Sequence, residues 1–340
     1  MTSVSESGAD PRLSANIYCA GHLDRVVAEI IVPLWRSLDA ERSAGSVWLW
    51  LMRYGKRGEH LKLRLHDPGQ TLDLEAIKDR VEQDAARFFA SLDPPGEEQP
   101  PKVKTMVPPI DVEDREKEPY EDRLLVWTSY QRHRLSLGDA ELYGDDRYCE
   151  LFTRAMAAAT GIFLESVEEG GVEGAASRRL VTLFAGVTAA LWGLGMDVDR
   201  RVSYLAYHRD WLLRFSLTPK EPNVDPALQS RNTFDKKLAA MDPAKRQNLL
   251  EKAWYFETEP MTGEVQSFSD RVCELADYAG PIVRGLDRAL DPKAEDFFDS
   301  VLFKVLQGFS NITGLRVFEE AWVHHLLHVA MQHAPASKGG

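Results

Sequence analysis

Seven prolines fall within residues 93–121, at positions 94, 95, 100, 101, 108, 109 and 119, among many charged residues. Proline fixes its own φ and has no N–H to donate, so this stretch holds neither a helix nor a central strand. It reads as a linker, extended loop, edge strand or flap, and the chain changes character across it. Before it, Ser46–Tyr54 (SVWLWLMRY) is rich in Val, Trp and Tyr, and Leu61–Leu65 alternates leucine with basic residues. The intervening Gly55–Glu59 (GKRGE) carries glycines suited to a turn, which predicts an antiparallel hairpin. A strand is expected around Asn16–Cys19, an amphipathic helix over His22–Leu38, a helix over 74–92, and a strand over Leu124–Ser129. From Asp145 onward the period is helical, with helices expected at 145–167, 174–194, 199–215, 225–241, 243–257, 265–290, 293–307 and 314–333. Strands first and helices afterwards define an α+β class, not an alternating βαβ one.

Composition narrows the functional classes. Lys and Arg number 41 against 53 Asp and Glu, a formal charge of −12, which argues against a general nucleic-acid binder. No apolar run reaches the ~18 residues of a membrane span. The start MTSVSESGADPRLS is polar and lacks a signal-peptide core, so residues 1–14 read as a disordered lead-in and the expected location is cytoplasmic. The tail 335–340 reads as frayed, leaving 15–334 as one expected domain. Cys19, Cys149 and Cys273 form no CxxC pair and no structural zinc spacing, and are read as buried thiols in a reducing compartment.

The chain contains no GxGxxG, GxxxxGK[ST], HExxH or GxSxG motif. The expectation is therefore no cofactor. His324 and His328 share a helix face at i, i+4, but the cluster with His325 is read as packing or helix-end charge compensation, with no metal. The strongest local pattern is Arg53–Leu65 (RYGKRGEHLKLRL). Side chains two apart share a strand face, so His60, Lys62 and Arg64 project together while Leu61, Leu63 and Leu65 form the opposite, buried face. Three such groups suit an anion or a developing oxyanion. A solvated face on an ordinary amphipathic strand is the alternative reading of the same pattern.

SVWLWLMRYGKRGEHLKLRL resembles the "WFFIRY…G.HLRLRL" segment of the lantibiotic dehydratase C-terminal family, which also occurs in thiopeptide biosynthesis enzymes. NIYCAGHLDRVVAEIIVPLWRSL is similar to that family's opening strand and helix. SYQRHRLSLGDAELYGDDRYCELFTRA falls where the family has "TYxPExxRYGG", and GFSNITGL lies near the place of its "HMxxNRL". The resemblance covers roughly residues 15–330 and implies an elimination-domain-like fold. Eliminating members remove glutamate from glutamylated Ser or Thr, using basic residues of the HLRLR strand, the Glu and Arg of the second block, and the His of the last.

Position by position, Lys62 and Arg64 match the two basic positions, and Tyr130 matches the tyrosine of the second block. His133 stands at the Glu position, Ser136 at the Arg position, and Gly138 keeps the first glycine. Ser310 and Asn311 stand where the last block would have its histidine. Elimination loses most of its equipment through these exchanges. The pattern "YxRxxxSLG…DDRY" resembles the branch that builds the central pyridine of thiopeptides by formal [4+2] aza-cycloaddition. That resemblance implies a modified precursor peptide as partner, comprising a leader and a dehydroalanine-containing core. It gives Arg64, Lys62, Tyr130, His133 and Ser310 candidate catalytic roles, and His60 and Asn311 candidate contacts to substrate. Trp48, Trp50, Trp254 and Tyr255 are candidates to line a peptide groove or to belong to the core. Arg209, with Arg200, Arg201 and Arg214, is a candidate leader-binding cation or part of a solvated helix face. A glutamate-elimination subunit and a non-catalytic leader-binding scaffold are the alternative functions.

Overall fold

The alternation of HLKLRLH makes a strand with two unlike faces, and the N-terminal sheet is built around it. The computed structural model describes residues 11–54, 59–93, 121–128, 145–216, 226–258, 261–290, 297–315 and 317–332. In it, β1 (Arg12–Tyr18), β2 (Trp48–Tyr54), β3 (His60–His66) and β4 (Leu124–Trp127) form an antiparallel sheet of order β2-β3-β1-β4. Leu61, Leu63 and Leu65 of β3 register with Ile17, Ala15 and Leu13 of β1, and with Arg53, Leu51 and Leu49 of β2. Ala15, Ile17, Leu49, Leu51 and the three β3 leucines are buried.

The expected helix over His22–Leu38 is segmented into α1 (Leu23–Val26), a π-helical stretch (Val27–Ile31) and α2 (Val32–Ser37). Pro33 in the first turn of α2 has no N–H for the carbonyl of Glu29, and its ring crowds that carbonyl, so a wider register just upstream accommodates it. The chain then adds α3 (Asp39–Ser43), which the periodicity did not indicate. Helix α4 (Leu74–Ala90) starts where the Asp73 carboxylate accepts from the Ala76 N–H at 3.0 Å, and it packs on β1 and on the π stretch. The expected disordered lead-in is corrected at its end. Arg12–Ser14 already pair with His66–Arg64, because β3 is long enough to extend the ladder.

The chain divides into two compact units, Met1–Val103 with Glu113–Arg134, and Lys104–Val112 with Leu135–Gly340. The second contains α5 (Asp146–Gly193), α6 (Val198–Ser216), α7 (Pro226–Ala239), α8 (Pro243–Thr258), α9 (Gly263–Leu290), α10 (Phe297–Thr313) and α11 (Val317–Gln332). Helix α5 merges the two helices expected at 145–167 and 174–194. Gly171 (φ 63°, ψ −170°) breaks it internally, as a left-handed φ suits glycine. Within this unit α9 and α10 pack on α5, α11 packs on α6, and α8 on α11. At Gly193 a side chain would meet the Ser269 carbonyl, and at Gly186 it would meet the Phe309 ring.

Helix α10 runs past the expected end at 307. Val305, Leu306, Phe309 and Ile312 continue its apolar face, and termination comes at Gly314 with φ 73°. Ser310 and Asn311 are therefore in the last turns of a helix. The proline-rich segment 94–120, the block 129–144 with Tyr130, His133, Ser136 and Gly138, and residues 1–10 and 333–340 lie outside the described residues. No described helix is long and apolar enough to cross a membrane.

Candidate functional site

On the second face of the sheet, β3 presents His60, Lys62, Arg64 and His66. The register sets Tyr18 and Tyr54 on either side of His60, with ring centroids at 4.5 and 5.8 Å. The Lys62 Nζ sits 3.7 Å above the Tyr54 ring, and the Arg64 guanidinium carbon lies 5.6 Å from the Trp50 ring. Beside Arg64, the Ser14 and Thr128 hydroxyls are hydrogen-bonded at 2.8 Å. His60 and Arg64 are only 2% and 7% exposed, and Lys62 is half-buried. The solvated-face reading therefore does not hold for His60 and Arg64. Burial raises the Tyr54 phenol pKa, with the Arg64 charge acting in the opposite sense, so the hydroxyl keeps its proton at neutral pH. A guanidinium stays charged when buried, and its fork of donors stabilises an anionic oxygen more strongly there than in water.

The second constellation lies wholly in the helical unit, where α6, α10 and α11 contribute buried polar groups. Glu320 and His324 are one turn apart on α11 and share a face. His324 accepts or donates at both ring nitrogens: Nδ1 is 2.9 Å from the Glu320 carbonyl, and Nε2 is 3.0 Å from His208 Nδ1 of α6. The carbonyl only accepts, so His324 Nδ1 carries the proton, and His208 Nδ1–H donates to His324 Nε2. Burial holds His208 well below the usual imidazole range and lowers His324 to about 4, so both are neutral near pH 7. His324 is thus no compensating cation at a helix end, and His328 instead lies with Nδ1 3.1 Å from the Val202 carbonyl.

Desolvation pushes the Glu320 carboxyl up to about 8, and the Ser310 hydroxyl of α10 draws it partway back. Glu320 and Ser310 are 3% and 2% exposed, and among the described residues Glu320 Oε1 has no hydrogen-bond partner. Sequence reasoning missed Glu320 and His208. The available signal for Glu320 was its position four residues before His324. His208 had none, because it meets His324 across 116 residues of chain.

Other candidates are dispersed. Arg209 is buried, donating to Asp210 Oδ1 at 2.9 Å, with its NH1 3.3 Å from His325 Nδ1. Arg201 is buried beneath the Trp192 ring, whereas Arg200 and Arg214 are exposed, so the four arginines do not share one solvent face. Trp254 is half-buried and Tyr255 is 56% exposed on α8, while Trp50 belongs to the buried set of the sheet. Asn311 is half-buried. No disulfide joins the three cysteines, and only Cys19 is buried; Cys149 is intermediate and Cys273 exposed, which corrects the expectation of three buried thiols.

The chain is α+β, with a largely buried cationic strand in its sheet and buried polar groups among its helices. The family model described as lantibiotic biosynthesis dehydratase C-term matches residues 13–331, and the chain belongs to that family. Among solved structures, it is similar to "Pyridine synthase, TbtD, from thiomuracin biosynthesis" at 15% identity and TM-score 0.61, covering 95% of this chain and 98% of that one. It is similar to TsrL at 12% identity and TM-score 0.51, covering 94% of each chain. The tRNA-dependent lantibiotic dehydratase MibB from Microbispora sp. 107891 aligns at 16% identity and TM-score 0.47, over 97% of this chain and 29% of that one. No curated protein matches the sequence.

Proposed function

We propose that the chain is a thiopeptide pyridine synthase, joining two dehydroalanines of one modified precursor peptide by formal [4+2] aza-cycloaddition. The observation that carries this reading is the exchange at the last block. A buried serine, Ser310, stands where eliminating relatives are expected to have histidine, while Lys62 and Arg64 keep the cationic strand. The family match and the likeness to TbtD support it at the level of family and fold.

In this reading one dehydroalanine amide tautomerises to a 2-azadiene by losing its N–H proton and gaining one at oxygen. Arg64 and Lys62 stabilise that oxygen, and Tyr130 and His133 move the proton. Two carbon–carbon π bonds and the C=N bond of the azadiene are exchanged for two ring σ bonds and one ring double bond. Loss of water and then of the leader peptide as an amide aromatises the ring, with no net oxidation. Ser310 and Asn311 hydrogen-bond the substrate backbone. Holding two remote residues in reactive geometry is worth about 7–11 kcal/mol in well-oriented systems.

The test presents the purified chain with two peptides, one glutamylated and one already carrying both dehydroalanines. Mass spectrometry of the second is expected to show release of the leader with loss of water and a pyridine-containing macrocycle. Glutamate release from the first would overturn the reading in favour of elimination. Binding of leader without conversion of either would overturn it in favour of a scaffold.

A further inference from the structure

We propose that His208, Glu320 and His324 form a binding site for a first-row divalent metal of the zinc class, which clamps α6 to α11. Their ligand atoms all lie within 4.8 Å of one another, and all three residues are buried. A tetrahedral zinc with bonds of about 2.0–2.1 Å needs ligand atoms a little over 3 Å apart. His208 Nδ1 and His324 Nε2 stand at 3.0 Å, so small side-chain rotations suffice.

The donors are also chemically suitable. Two imidazoles and a carboxylate match the ligand preference of zinc, cobalt(II) and nickel(II). His324 Nδ1–H is fixed by the Glu320 carbonyl at 2.9 Å, so its Nε2 lone pair faces His208, the arrangement that orients imidazole ligands in metal sites. One buried polar atom independently indicates something missing: Glu320 Oε1 has no hydrogen-bond partner among the described residues. A metal would take the Glu320 carboxylate, and Ser310 would donate to its second oxygen. Arg209, whose charge bears on His324, is already balanced by Asp210 at 2.9 Å. Binding displaces the proton that His208 Nδ1 shares with His324. The three ligands take no part in the pyridine-forming reading; Ser310 is the one residue the two readings share.

The experiment uses the whole chain, stripped with a strong chelator, dialysed against zinc chloride and washed by gel filtration. Elemental analysis is expected to find one zinc per chain, with a raised melting temperature. Cobalt(II) in place of zinc is expected to give the intense visible absorption of a tetrahedral site. Because His324→Ala risks misfolding, the decisive variant is Glu320→Gln, which keeps shape and neutrality. It is expected to fold, as read by circular dichroism, and to lose at least tenfold in zinc affinity. Zinc removed by the wash, or zinc retained equally by Glu320→Gln, overturns the proposal, and the three residues are then a hydrogen-bonded network only. Neither result bears on the peptide assay, so the two readings fail separately.

Discussion

In the sheet, the candidate groups His60, Lys62, Arg64 and His66 sit on a single seven-residue strand, each two residues from the next. In the helical unit they come from α6, α10 and α11, and the hydrogen bond between His208 and His324 links residues 116 apart. The first arrangement follows from local alternation, because every second side chain of a strand shares a face. The second exists only once three helices have packed. The sheet site therefore has its own leucine core directly behind it, whereas the helical site borrows its geometry from helix packing.

The sharpest way to break this comparison is to damage the leucine face. Leu63→Ala, at a position 3% exposed, is expected to cost about 2–5 kcal/mol in urea-monitored stability. Because its side chain lies behind Lys62 and Arg64, loss of turnover should accompany loss of fold. Arg64→Ala tests the other face. It is expected to fold and to lower turnover of the doubly dehydrated peptide by about 100-fold, the scale for removing one oxyanion-stabilising donor. Turnover unchanged in Arg64→Ala would show that the basic strand serves architecture alone.

A smaller effect is expected in the helical unit. Ser310→Ala should reduce turnover by about tenfold while costing no more than about 1 kcal/mol of stability, the scale of one buried hydroxyl hydrogen bond to Glu320. A clear loss of stability would instead mean that Ser310 is part of the packing. The smallest effect concerns Lys304 on α10, whose pKa burial lowers to about 8 from 10.5. The folded chain disfavours the charged form, so the penalty is complete below pH 8 and fades as the pH rises toward 10.5. Lys304→Met is therefore expected to raise the melting temperature by a few degrees at pH 7, with the gain shrinking at pH 10.

The same contrast explains what the sequence made legible. The hairpin and the buried face of Leu61, Leu63 and Leu65 follow from a period of two read within one segment. The break near Gly171 was visible as a gap between two helical patterns. The start of β1 at Arg12 was not, because RLS is polar and becomes strand only by pairing with His66–Arg64. The end of α10 was misjudged because the polar pair Ser310–Asn311 interrupts an apolar face that resumes at Ile312. Burial of His60 and Arg64 was hidden too, since alternation assigns a face but not what covers it. In the helical unit, the spacing of Glu320 and His324 was readable, but the approach of His208 belongs to tertiary structure.

The contact between Gly186 and Phe309 carries a genetic consequence. Phe309 immediately precedes Ser310, so the ring seated over Gly186 acts as a key that sets the azimuth of α10 and the direction of that hydroxyl. A bulkier residue at 186 would turn the key out of its slot. Its harm should be reversible by a second change that trims the ring, such as Phe309→Leu. A selection for suppressors of Gly186→Ala would then return to position 309 rather than scatter across the chain.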